Sequence, residues 1–291
     1  MGQSNQLNTR LEQARTFNHP LNVSNQTYIH PEWADVFSKA GYSDFDSWWD
    51  AEQNLVEVGN FRGPDAHTSW SHVSRIDLPD GRTVYLKRQQ NHFPNNTLLK
   101  LRRIMTFEVE WKNYQLLQAA GVPTMKIIYF SQRKVNGDKQ AIIVSEELKG
   151  MTPINEIIQW FETHQWPPRQ QRLAILSAIL NVIKPMHESG LIHNALYSRH
   201  IYLNIPFVEG CPAMPETFHA CLIDLERTKS PGKNSPKMIK NDLEKMFRRI
   251  HQWPARDCLW FLKQYLGITK LTPEAKEIAK KIAATRKPKN Q

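Results

Sequence analysis

Two hydrophobic periodicities divide this chain, and their order limits the folds open to it. Alternation of apolar and polar residues, the mark of a half-buried strand, is confined to the first half. It runs through TSWSHVSRIDL (68–78), RTVYLKRQ (82–89), MKIIYFSQR (125–133) and QAIIVSEEL (140–148). Pro79-Asp80-Gly81 and Val135-Asn136-Gly137-Asp138 separate these runs in pairs, and Asp-Gly or Asn-Gly between alternating runs predicts tight hairpins. One helical pattern interrupts them. Phe107, Trp111, Tyr114 and Gln118 fall at helical spacing, and Gly121 and Pro123 end the helix.

After Gly150 the text is mostly helical. Leu173, Leu176, Leu180, Ile183 and His187 line one face of a helix over Arg169–Ser189, closed by Gly190. The segments LIHNALYSRHIYLN and HACLIDLERT read as short strands around a loop, and helices follow over 237–250, 255–266 and 273–285. The fold class is therefore α+β: a small sheet with one main helix, then a larger helical part. We divide the chain at 1–60 (a polar arm, then short helices capping the fold), 61–148 and 149–291. A cleft between two such parts is a usual ligand site.

Bulk properties exclude several classes. Hydrophobic residues make up 40% of 291, enough for a substantial core. Apolar runs stay short of ~18 residues, so no membrane-spanning helix is expected. The polar start MGQSNQLNTRLEQ has no signal-peptide character. Cys211, Cys221 and Cys258 form no CxxC pair, which points to a reduced, cytoplasmic setting with all three as small buried hydrophobes. The net charge of +10 favours anionic partners. The nine tryptophans are scattered and build no stacking platform, so nucleic acid is not expected. His187, His193, His200 and His219 match no zinc spacing.

Phosphoryl transfer needs positioned positive charge more than covalent chemistry, and candidates for it appear in a meaningful order. Lys87 ends the strand run Val84-Tyr85-Leu86-Lys87 just after a hairpin, a place suited to a phosphate-binding lysine. Glu110, on the next helix, is its natural carboxylate partner. Glu108 competes, but Phe107, Trp111 and Tyr114 flank the side of the helix that carries Glu110. Met186 to His193 reads like the approach to a kinase catalytic loop, which continues to His200. Leu222-Ile223-Asp224-Leu225 delivers one carboxylate from an apolar strand, in the position of a Mg²⁺-binding Asp.

At these residues the chain resembles the lipopolysaccharide kinase family, the WaaP/InaA and Kdo-kinase group. The stretches that carry the resemblance are Ser69–Arg75, Tyr85–Gln89, Glu110-Trp111 through Gly121–Thr124, His193–His200 and Ile223–Arg227. The resemblance implies a protein-kinase-like fold. It implies ATP with Mg²⁺ and transfer of a phosphoryl group to a sugar hydroxyl of the lipopolysaccharide core, or of another small acceptor. It also implies work at the cytoplasmic face of the inner membrane, peripherally attached. Mapped onto this chain, Lys87, Glu110, Ser71, Ser74 and Arg75 hold the nucleotide, Asp224 and His200 the metal, and His193 and Tyr197 serve the catalytic loop.

Two positions depart from the kinase pattern. Ala195 stands where the catalytic loop carries Asp, and losing a general base typically costs ~10²–10⁴ in rate. Ser69 to Ser74 replace a glycine-rich phosphate-covering loop, with Ser hydroxyls and Arg75 as partial substitutes. Ala195 also keeps open an alternative: a pseudokinase-like regulator or scaffold with little or no turnover.

Overall fold

The computed structural model describes residues 27–51, 54–57, 68–230 and 235–285. They fall into two compact units. A sheet unit holds the described residues up to 115 together with 125–148; a helical unit holds 116–124 and the described residues from 149 onward.

The sheet unit is built on six antiparallel strands: β1 (Thr27–Ile29), β2 (Asn54–Glu57), β3 (Trp70–Asp77), β4 (Thr83–Gln90), β5 (Ile127–Val135) and β6 (Asp138–Glu146), in the order β1-β5-β6-β4-β3-β2. Both predicted hairpins form. Gly81, at φ +83°, closes β3–β4, where the Leu78 N–H donates to the Arg82 carbonyl at 2.7 Å. Asn136 and Gly137 turn β5 into β6 with φ of +50° and +91°, the two positive values a type I′ turn requires.

Four helices accompany the sheet: α1 (Ala34–Lys39), α2 (Phe45–Trp49), α3 (Thr97–Leu101) and α4 (Thr106–Ala119). Asp44 caps α2, accepting from the Ser47 N–H at 2.8 Å while its own N–H donates to the Ser47 hydroxyl. Trp33, Phe37 and Trp48 bury themselves against Val84 and Leu86 of β4, Tyr129 of β5 and Val144 of β6. Phe37 meets Trp48 edge-on at 5.0 Å. The stretch read as an extension with capping helices thus does more than cap: residues 27–57 contribute two strands to the sheet, so a boundary at 60 falls inside it. Residues 1–26, the polar arm, lie outside the described residues.

The helical unit carries a three-stranded sheet in the order β11-β8-β7, formed by β7 (Thr152–Pro153), β8 (Ile201–Leu203) and β11 (Ala220–Leu222), and a small hairpin of β9 (Phe207–Val208) and β10 (Cys211–Pro212). Its helices are α5 (Ile154–Thr163), α6 (Arg169–Glu188), α7 (Ser235–Arg249), α8 (Ala255–Leu266) and α9 (Pro273–Thr285). The predicted apolar face of α6 is buried at Leu176, Ile183 and His187. Arg169 and Arg172 of this helix grip Asp257 of α8 at 3.0 and 2.7 Å. Asp257 is fully buried, and its two fork-shaped partners are what make that burial tolerable.

Cys221 and Cys258 are buried as expected, but Cys211 is exposed, because it sits on the short β9–β10 hairpin at the surface. No helix among the described residues is long and apolar enough to cross a membrane.

Candidate active site

In the sheet unit, Lys87 and Glu110 form the decisive pair. Lys87 stands at the centre of β4, opposite Val73 of β3 and Ile143 of β6. α4 starts where the Thr106 N–H and hydroxyl both donate to the His92 carbonyl, each at 3.0 Å. Trp111 of α4 stacks on Phe130 of β5 at 5.2 Å and 9°, which fixes the rotation of the helix over the sheet. That rotation brings the Glu110 carboxylate to the Lys87 ammonium, with Oε1 accepting at 2.8 Å. The Glu110 side chain is 2% exposed and that of Lys87 18%. Two charges so withdrawn from water gain little net stability from each other; the pair fixes where the ammonium sits. Glu108 is buried elsewhere on the helix, and burial pushes its carboxyl above the usual range.

Strand alternation sorts the other nucleotide candidates. Ser71 and Arg75 pair across the ladder with Gln89 and Tyr85, so they share the face of Lys87. Ser74 pairs with Leu86 and points to the opposite face, where it is fully buried. The structure therefore removes Ser74 from the phosphate set. The Arg75 guanidinium is taken by Asp77 at 2.7 Å and Thr83 at 3.1 Å, toward the hairpin end of β3 and away from Lys87. Nor is Ser69–Ser74 a loop: β3 begins at Trp70, and the Ser69 hydroxyl donates to the Asn91 carbonyl. The connection from β2 to β3 spans 58–69 and contains Gly59 and Gly63; most of it lies outside the described residues.

The helical unit holds the loop and Asp224. His193 is fully buried, and its Nε2–H donates to the Ile223 carbonyl at 2.9 Å. The Ile223 N–H donates to the His200 carbonyl at 3.1 Å. The residue before Asp224 is thus held from both sides. Asp224 itself adopts a left-handed conformation, φ 59° and ψ 63°, uncommon for a residue with a Cβ. His193 was expected in a catalytic role. A side chain sealed from solvent touches no substrate, so it is a positioning residue instead. Tyr197 is half-buried, with the Arg199 guanidinium 5.8 Å over its ring. Ala195 is buried, and its carbonyl accepts from His200 Nδ1 at 2.8 Å.

That bond leaves His200 Nε2 as an acceptor. Arg199 Nε donates to it at 2.9 Å, and Asp224 Oδ2 lies 3.2 Å away. Burial lowers the His200 pKa, which keeps the ring neutral. Mg²⁺ selects oxygen ligands and keeps several waters and phosphate oxygens, so it needs only one or two protein carboxylates. The half-exposed carboxylate of Asp224 fits that requirement. The nitrogen of His200 is already engaged by Arg199, and as an acceptor it donates no hydrogen bond to Asp224. No group of three or more His, Cys, Asp or Glu ligands occurs among the described residues.

Two residues that anchor the loop were missed in the sequence. Asp242 of α7 is fully buried, and its Oδ2 accepts the His193 and Asn194 N–H groups at 2.7 and 3.1 Å. Lys245, one turn on, donates to the Asn194 carbonyl at 2.5 Å. The available signal was an Asp set among the apolar positions Leu243, Met246 and Phe247 of an amphipathic helix. A charge there needs a buried partner.

Comparison with known proteins decides what this arrangement belongs to. Residues 46–265 match the Lipopolysaccharide kinase (Kdo/WaaP) family. The chain belongs to that family. It is 27% identical over 220 residues to Protein InaA of Escherichia coli K12, covering 75% of this chain and 93% of InaA. It is 25% identical over 193 residues to the lipopolysaccharide core heptose(I) kinase WaaP of Pseudomonas aeruginosa PAO1, covering 64% and 70% of the two chains. A solved structure of WaaP in complex with acyl carrier protein superposes with a TM-score of 0.62 over 89% of this chain and 94% of that one, at 20% identity. The fold is that of WaaP, protein-kinase-like, as the family resemblance implied. No comparison supports the pseudokinase alternative.

Proposed function

We propose that this lipopolysaccharide kinase family member transfers the γ-phosphoryl group of ATP to a sugar hydroxyl of the lipopolysaccharide core. The buried Lys87–Glu110 pair carries the reading, because it holds an ammonium at a fixed point on a rigid sheet. Lys87 neutralises the α and β phosphates. Asp224 would hold Mg²⁺, which would supply further neutralisation of the phosphate charge. His193, Asp242 and Lys245 hold the loop and the Asp224 backbone in place. The acceptor hydroxyl oxygen bonds to the γ-phosphorus, the bond from that phosphorus to the β-phosphate bridging oxygen breaks, and ADP leaves. The hydroxyl proton passes to solvent or to a phosphate oxygen, since Ala195 offers no base. A loose transition state builds little need for early proton removal, so turnover survives without one.

The inner-membrane face remains part of the proposal, supported by the +10 charge against anionic lipid and glycolipid. The protein that superposes on this chain was solved with acyl carrier protein, which makes that protein a second partner to test.

The experiment is transfer of labelled γ-phosphate from MgATP to purified, dephosphorylated lipopolysaccharide core. Lys87→Ala and Asp224→Ala are each expected to reduce labelling by ~10²-fold or more. Full labelling by Lys87→Ala would refute the proposal. Nucleotide binding with no labelling by the unaltered protein would favour a regulatory role instead.

A further inference from the structure

On the face of the sheet opposite Lys87 lies a cavity of about 400 Å³, lined by Trp49, Asp50, Trp70, His72 and Arg88. Adjacent residues of a strand point to opposite faces, so Arg88 is directed away from the Lys87 side. It pairs across the ladder with His72. Arg88 is 3% exposed. Its Nη1 donates to the Trp49 carbonyl and, at 3.4 Å, to the Ala51 carbonyl. Among the described residues its Nε and Nη2 have no hydrogen-bond partner.

A buried guanidinium with two unengaged nitrogens is costly. Nε and Nη2 form one edge of the guanidinium, and their N–H bonds run nearly parallel. That edge matches the two oxygens of a carboxylate. Beside it, Trp49 and Trp70 make an aromatic wall with centroids 5.3 Å apart, and the His72 ring lies 4.8 Å from Trp70. The electron-rich face of an aromatic ring suits the slightly positive C–H face of a saccharide. Asp50 is exposed at the cavity, and His72 adds a ring nitrogen to its lining.

We propose that this cavity binds a sugar acid, with its carboxylate on the Nε/Nη2 edge of Arg88 and its C–H face against Trp49 and Trp70. The site is separate from the phosphotransfer residues and does not rest on the function proposed for them. Asp50 works against it electrostatically: its carboxylate lies near enough to favour the charged form of Arg88 and so competes for the guanidinium.

The test is titration of the full chain with glucuronate, glucose, acetate and inorganic phosphate, followed by tryptophan fluorescence and by indole N–H resonances. Glucuronate is expected to give saturable shifts, glucose and acetate none in the same range, and phosphate weaker ones. Arg88→Gln and Trp70→Ala should each weaken glucuronate binding at least tenfold, with thermal melts confirming the fold. Asp50→Asn, at an exposed position, should tighten it severalfold. If Arg88→Gln does not fold, Trp70→Ala and Asp50→Asn decide the matter. Absence of saturation, or Asp50→Asn leaving binding unchanged, overturns the proposal. Equal binding of glucose removes the carboxylate contact, and equal binding of acetate or phosphate removes the sugar contact; either result also overturns it.

Discussion

Replacing Glu110 by Gln keeps the shape of the side chain and removes its charge, which isolates the contribution of its pair with Lys87. At 2.8 Å the gross Coulomb attraction is about 6 kcal/mol for an effective dielectric near 20. Desolvation of a carboxylate that is 2% exposed offsets most of it. What Gln removes is the difference between a charge-assisted and a neutral hydrogen bond, about 1–2 kcal/mol of stability. The effect on catalysis is expected to be larger. A misplaced phosphate-binding ammonium of about 1 Å costs ~10²-fold, so kcat/KM should fall by about that factor. A double-mutant cycle with Lys87→Met gives the sharper readout. If Glu110 acts only through Lys87, the double variant has the kcat/KM of Lys87→Met alone, and the coupling reaches about 2–3 kcal/mol. Denaturant unfolding and steady-state phosphotransfer measure the two quantities. Additive losses in kcat/KM would show that the carboxylate does not act by holding the lysine.

Asp242→Ala strips the loop of its anchor and leaves the His193 and Asn194 N–H groups buried without an acceptor. The expected loss is about 3–5 kcal/mol of stability with a fall in activity, read by urea unfolding and phosphotransfer. Glu108 supplies a pH signature. Its folded-state pKa is raised by burial, with Lys139 and Lys112 opposing the shift. The stability it contributes is therefore present below the ordinary Glu value and fades as pH rises through the raised one. Glu108→Gln should raise the urea midpoint at pH 8, leave it nearly unchanged at pH 4, and flatten the profile between. Cys211 should react with a maleimide in the folded protein. Cys221, buried and with its thiol pushed up to about 12, should react only on unfolding. Mass spectrometry of labelled peptides distinguishes them.

The sequence by itself determined the parts whose signals repeat within a few residues. The β3–β4 and β5–β6 hairpins follow from alternation and from Asp80-Gly81 and Asn136-Gly137, since few other residues accept the turn geometry. The α4, α6, α7, α8 and α9 helices follow from apolar spacing, and the order of a small sheet before a larger helical part follows from both. The sequence also favoured Glu110 over Glu108 as the lysine's partner. Only the tertiary structure showed which of the two meets Lys87, because the stacking of Trp111 on Phe130 sets the rotation of α4. It alone turned Ser74 to the far face, drew Arg75 to Asp77, sealed His193 in the interior and brought Asp242 to the loop from 49 residues away. It likewise made β1 and β2 members of the sheet, although neither is long enough to show a period. A short-range pattern is written in neighbouring residues and survives in the unfolded chain. A buried polar contact exists only once packing has removed the water that would otherwise satisfy both groups.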